Sequence, residues 1–247
     1  MATRASDITQ EKTRQRLVEA AGEVFAEQGF RQATVRDICA RAGANVAAIS
    51  YHFGDKERLY SEVLRFAHGC AIEKYPPSMG LAADAPAEKR LHSFVLSFLY
   101  RLLDDGRPAW HAKIMSREMA EPTGAMDVLV EEQVKPHFAY VRQVVMDLLG
   151  TKAGEETARL CAQSVVGQCL FYHFGRPVTQ RLFPQRVFGM KDAPRIADHI
   201  TRLTLAGIRE IAKGLPESRD AAGPPSRKRN NGEVPRIGSK GQKGGTR

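Results

Sequence analysis

Thr34-Val35-Arg36-Asp37-Ile38-Cys39-Ala40-Arg41-Ala42-Gly43-Ala44-Asn45-Val46-Ala47-Ala48-Ile49-Ser50-Tyr51-His52-Phe53 is the stretch whose reading decides the fold. Thr34 reads as an N-cap, with Asp37 three residues on as its acidic partner. Val35, Ile38 and Cys39 supply the buried face of a short helix that ends at Arg41-Ala42-Gly43. Gly43 can take the positive φ of a sharp turn. Asn45 caps a second short helix that carries Val46, Ile49 and Phe53 inward. Two helices this short, joined by a glycine turn, are unstable alone and must pack on neighbours. The pattern is that of a helix-turn-helix.

Working outward, a preceding helix is predicted from about Thr9 to Gln28, with Leu17, Ala20, Ala21, Val24 and Phe25 on one face and Gly29 closing it. Downstream, Asp55 caps a long helix reaching about Tyr75. Pro76-Pro77 and residues 78–85 form a linker. Further helices are predicted near 86–104, 108–120, 124–149, 154–174 and 191–213, with a kink at Pro136 and a connection or short helix over 175–190. No stretch alternates with period 2, so the fold class is all-α. The organisation follows as a three-helix module over 9–54, a connecting helix over 55–75 and a helical bundle over 86–214. Residues 215–247, rich in Gly, Pro, Ser, Lys and Arg, read as a disordered basic tail.

The second helix of such a pair lies in the DNA major groove. Ala44, Ala47 and Ala48 are small enough to let the backbone approach, and either Ala47 or Ala48 suits a thymine methyl. Asn45 and Ser50 donate and accept hydrogen bonds. Tyr51, His52 and Lys56 follow where they reach phosphates, which position without reading sequence. No arginine in this helix is available for guanine. Charge does not make the case. The 247 residues carry a net +9, but residues 1–53 hold 7 Lys/Arg against 6 Asp/Glu, 54–213 hold 22 against 19, and 214–247 hold 8 against 3. The excess sits in the tail, where Arg227-Lys228-Arg229 either adds nonspecific phosphate attraction or has no role.

The segment Thr13–Phe66, with Ala33-Thr34-Val35-Arg36-Asp37-Ile38, Ala42-Gly43, Ile49-Ser50-Tyr51-His52-Phe53 and Lys56-Glu57-Arg58-Leu59, resembles the N-terminal domain of TetR-family regulators. The resemblance implies a homodimeric repressor that binds palindromic double-stranded operator DNA and answers to a small-molecule effector. It makes Thr34 and Arg36 phosphate-side residues, maps Asn45, Val46, Ala47 and Ser50 to the recognition helix, and Tyr51, His52 and Lys56 to backbone contacts. Cys39 and Asn45 depart modestly from the usual residues. Ser116-Arg117-Glu118-Met119-Ala120-Glu121-Pro122-Thr123 and Cys161–Leu170 resemble the CecR-type subgroup, which implies control of efflux and antibiotic sensitivity.

The dimer requirement points to the last two long helices, as the family resemblance implies. One stripe is Ile196, Ile200, Leu203, Gly207 and Ile211. The other is Ala158, Ala162, Val165, Val166 and Cys169, with Gly167 allowing close approach. Either stripe also fits packing within one chain. For an effector pocket, Phe94, Phe98, Trp110, Met115, Met119, Phe138 and Tyr172 are large and adaptable, and His111, His137 and Gln168 are polar candidates. Ordinary core is the competing reading. Four scattered cysteines give neither a disulfide framework nor a zinc site, and no cofactor or metal is expected. No apolar run spans a membrane and no secretory signal is legible, so a cytoplasmic protein is expected. There is no nucleophile elbow, Walker loop, dinucleotide fingerprint or H-E-x-x-H, which argues against an enzyme. The alternative from another class is a helical protein-binding adaptor that lacks DNA recognition.

Overall fold

The computed structural model describes residues 2–104, 109–185 and 188–215. These form helices α1 (Ala2–Gln28), α2 (Val35–Ala42), α3 (Ala47–His52), α4 (Lys56–Lys74), α5 (Ala87–Leu103) and α6 (Ala109–Ala120). There follow α7 (Ala125–Leu129), α8 (Lys135–Leu149), α9 (Glu155–Phe174), α10 (Arg176–Leu182) and α11 (Ala193–Lys213). No strand occurs among the described residues, and no helix there is long and apolar enough to cross a membrane. The tail expectation lies outside the described residues beyond Leu215.

α1 begins seven residues before the expected Thr9. Residues 2–8 contain no proline or glycine, so a helix nucleated downstream propagates back through them. It ends at Gly29, φ 82°, and Phe30 folds back so that its ring lies 6.0 Å from Phe25 and 4.8 Å from Tyr60. The expected single helix over 124–149 is three pieces. Between α7 and α8, Val130–Val134 form a π-turn in which the Lys135 N–H donates to the Val130 carbonyl. Pro136 follows in the first turn of α8. The 175–190 connection contains α10.

Two hydrophobic clusters organise the chain. The first joins Leu17, Val24 and Phe25 of α1 to Ile38, Ile49, Leu59 and Val63, and it takes in Trp110 and Ile114 of α6 and Ala125 of α7. The second is built from α5, α8, α9 and α11, with Leu91, Leu99, Val141, Val145, Val165 and Ile200 at its centre. Each large apolar side chain withdrawn from water contributes about 1.5–3 kcal/mol. α6 therefore lies in the sequence segment of the bundle but packs on α1 and α4. A close approach at Gly22 makes this possible: a β-carbon there would sit 2.5 Å from Cε3 of Trp110.

Candidate nucleic-acid interface

The helix-turn-helix is built by local hydrogen bonds. Thr34 is extended, and its Oγ1 accepts from the Asp37 N–H at 3.1 Å while donating to Asp37 Oδ2 at 2.7 Å. Gly43 takes φ 60°, and the Ala44 N–H then donates to the Cys39 carbonyl at 3.0 Å. Asn45 Oδ1 accepts from the Ala47 N–H at 2.9 Å, which caps α3. Ile49 is the inward anchor of α3, and Phe53 is buried just beyond it. Asp55 Oδ1 accepts from the Arg58 N–H at 2.7 Å and starts α4.

With Ile49 turned inward, α3 and its cap present Asn45, Val46, Ala47, Ser50 and Tyr51 to solvent. Ala48 packs against the core instead, so of the two alanines weighed for a methyl contact only Ala47 is available. Val46, expected inward, is 50% exposed. The helix buries only the narrow face centred on Ile49, and position 46 falls outside it. Tyr51 is 70% exposed and its hydroxyl accepts from Gln10 Nε2 at 3.2 Å. His52 is half-buried between the Tyr51 and Phe53 rings. Thr34 and Arg36 are exposed at the start of α2, and Arg36 pairs with no carboxylate among the described residues. By contrast Arg41 is held by Glu27 at 2.9 Å, which keeps the Glu27 carboxyl below its usual pKa range.

Lys56 also has a role inside the module. Its ammonium donates to the carbonyls of Phe30 at 3.1 Å and Ala33 at 3.2 Å and lies 4.6 Å from the centre of the Phe30 ring. Two of its three donors fasten the turn between α1 and α2, which leaves one donor for a further acceptor.

α6 grips this module from behind at two points that sequence reasoning missed. Arg117 donates from Nε to the Ala26 carbonyl and from Nη2 to the Glu27 carbonyl, both at 3.0 Å, and so caps α1. The neighbouring Glu118 is fully buried. Its carboxylate accepts from Tyr60 Oη on α4 at 2.8 Å, and from the Thr123 N–H at 2.8 Å and Oγ1 at 3.0 Å. Burial, then this hydrogen bond to Glu118, pushes the Tyr60 phenol pKa well up. The available signal was the Ser116–Thr123 stretch itself, a charged run inside an otherwise apolar helical face.

Residues 17–63 match the sequence model of the bacterial regulatory proteins of the tetR family, and residues 87–208 that of the C-terminal domain of the HTH-type transcriptional dual regulator CecR. The chain belongs to the TetR family. As a TetR-family protein it is a DNA-binding transcriptional regulator and not an enzyme. It is 27% identical over 180 residues to CecR of Shigella flexneri, covering 70% of this chain and 80% of that one. It is 33% identical over 89 residues to the regulator SrpR of Pseudomonas putida, covering 36% and 39%. Among solved structures, the fatty acid degradation regulator FadR of Bacillus halodurans shares the fold at a TM-score of 0.58 and 20% identity, covering 78% of this chain and 98% of that one.

The effector candidates of this TetR-family chain do not form one group. Trp110 and Met115 belong to the first cluster, with His111 beside Trp110 and Phe66. Phe98 and Tyr172 pack in the second. Phe138, also of the second, borders a surface groove with Lys135, Arg142, Glu155 and Arg159, whereas Tyr172 borders another with Phe188, Arg195, His199 and Arg202. Gln168 is engaged by Thr204 Oγ1 at 3.3 Å, and Met119 is half exposed to solvent. Six of the residues read as a dimer face are also not at a surface. Ala158, Ala162, Val165, Cys169, Ile196 and Ile200 are buried in the chain's own core, and Val166 is half-buried there. Both helices are apolar on two sides: the α9 stripe falls on the inner one, and the α11 stripe runs from the inner side at Ile196 and Ile200 to the outer side at Leu203, Gly207 and Ile211. The outer faces carry Leu160, Gly167 and Phe171 on α9 and Leu203, Gly207 and Ile211 on α11, with Leu203 57% and Phe171 58% exposed.

Proposed function

We propose that this regulator acts as a homodimer on a palindromic operator, and that a small-molecule effector changes its hold on DNA. The observation that carries the DNA reading is the composition of the exposed face of α3 and its cap, which sets the polar Asn45 and Ser50 beside the small Ala47 around a buried Ile49. In this reading Asn45, Val46, Ala47 and Ser50 address base edges, while Thr34, Arg36, Tyr51, His52 and the remaining donor of Lys56 contact phosphates. Residues 9–54 are the reader, 55–75 the connector, and 86–214 the sensing and dimerising part, with α6 assigned to the reader by its packing. Repression of efflux or drug-resistance genes is the outcome that the family resemblance implies, while the matched C-terminal domain is named for a dual regulator.

The dimer reading rests on the outer faces of α9 and α11. A single exposed leucine needs no explanation, but Leu160, Phe171, Leu203 and Ile211 on two adjacent helices make a face that a second copy would cover. Gly167 and Gly207 leave room for close helix approach, since a β-carbon at either meets nothing within 4 Å. Recognition helices held about 34 Å apart then meet successive major grooves. The test is selection of binding sites from a random duplex pool with the full chain, paired with analytical ultracentrifugation. Inverted repeats should be enriched, and Leu203→Glu should give a folded monomer that no longer enriches them. Recovery of unrelated sequences alone would favour the adaptor reading.

A further inference from the structure

The π-turn between α7 and α8 joins the two hydrophobic clusters. Ala125 of α7 lies in the first and Val141 of α8 in the second. Two of the three polar side chains in the middle of this turn reach back to α4, the third, Glu131, pairing with Lys135. Glu132 Oε2 accepts from Arg65 Nε at 2.7 Å, and Gln133 Oε1 hydrogen-bonds with His68 Nδ1 at 3.3 Å. Arg65 also pairs with Glu62, which pairs in turn with Arg14 of α1, so the turn is tied through one ionic chain to the helix that supports the reader. On the other side the Gln133 carbonyl is bonded by Nδ1 of His137 on α8.

The cause of the turn is legible in the sequence. Pro136 has no N–H to give the Glu132 carbonyl, four residues back, and its ring would press on that carbonyl in a regular α-helix. The Lys135 N–H reaches the Val130 carbonyl instead, which inserts one residue into the helical repeat. Without the proline the regular α-helix would be favoured outright. With it, the α form is penalised, which narrows the gap between the two forms. Moving the extra residue out of the turn would rotate the preceding side chains by about 100° relative to α8, enough to carry Glu132 and Gln133 off α4.

We propose that the π-turn Val130–Val134 is the two-state element through which the C-terminal bundle sets the position of α4, with Glu132 and Gln133 as the residues that engage or release Arg65 and His68. A molecule that stabilises one setting of α8 then biases the reader without touching it. This extends the effector reading given above, but its test needs no effector.

The experiment compares wild type, Pro136→Ala and Glu132→Gln as full-length proteins, by amide hydrogen exchange and by affinity for the duplex selected with wild type. Pro136→Ala should slow exchange at the amides of residues 133–135 and 137 at least fivefold, as a regular helix replaces the π-turn, and weaken operator binding at least fivefold as α4 is released. Glu132→Gln should leave exchange in the turn unchanged and still weaken binding two- to threefold, with faster exchange in α4. Pro136→Ala with a regularised turn but operator affinity within twofold of wild type would overturn the proposal, making the turn a static accommodation of proline. Unchanged exchange at those amides would overturn it as well, by removing Pro136 as the cause. If Pro136→Ala fails to fold, Glu132→Gln decides alone: unchanged affinity and unchanged α4 exchange sink the coupling. Failure of the effector reading is separate, since it would appear as no small molecule releasing wild type from the same duplex.

Discussion

Replacing Glu118 tests whether α6 and α4 move as one body. The carboxylate is fully buried and accepts three hydrogen bonds, from Tyr60 Oη and from the N–H and Oγ1 of Thr123. In Glu118→Ala the half-buried Thr123 donors can turn to water, but the buried Tyr60 hydroxyl cannot. Stranding it costs about 1–3 kcal/mol. Losing the one packed methylene, Cγ, adds about 0.8 kcal/mol. The burial cost of the charge itself is recovered, which limits the total to roughly 2–4 kcal/mol. Glu118→Gln keeps the shape, and its amide can donate to a Tyr60 oxygen that now accepts, so that change costs only about 1 kcal/mol.

The assay is urea unfolding followed by far-ultraviolet circular dichroism, run as a double-mutant cycle with Tyr60→Phe. The two single changes remove the same bond, so the double variant should cost less than their sum by about 1 kcal/mol. A cycle with no coupling, or a glutamine variant as unstable as alanine, would refute the claim that this hydrogen bond fastens α6 to α4.

Three further outcomes follow from other contacts. Gly22→Ala, which at an ordinary helical site would stabilise by about 1 kcal/mol, should destabilise by about 1–3 kcal/mol because the new β-carbon lands on the Trp110 ring; a gain in melting temperature would mean that α6 does not press on α1. Tyr51→Ala should weaken binding to the selected duplex and its point variants alike. Asn45→Ser, which retains the cap, should alter the ranking of those variants, and equal ranking for both proteins would dismiss Asn45 as a base reader. Burial, more than the nearby Arg101 charge, lowers the His137 pKa, so the folded state prefers neutral imidazole. The resulting stability is present above the unfolded value near 6.5 and is lost as pH falls from there through the folded value. His137→Gln should flatten that acid limb of a melting-temperature profile, and an unchanged limb would assign it to other groups.

What could be read from the sequence depended on the range of the interaction that fixes each feature. Thr34, Gly43, Asn45 and Asp55 act within three or four residues, and all four do in the structure what their side chains or backbone freedom suggest. Residues governed by distant partners were not legible. Trp110 and Ile114 announce a buried face, but nothing in their spacing says that the surface they meet is α1 rather than α5. The same limit applies to α9, where Val165 and Phe171 are both apolar and one turns inward while the other turns out. Lys56 shows the limit for charge: its position suits a phosphate, and nothing in its spacing reveals the two carbonyls and the Phe30 ring that it holds. Pro136 lies between these cases. The proline itself signals a break locally, but the choice of a π-turn over a kink becomes intelligible only through the partners that the turn reaches, Arg65 and His68 on a helix more than sixty residues earlier. A local defect acquires a long-range role here because the side chains it displaces lie opposite α4.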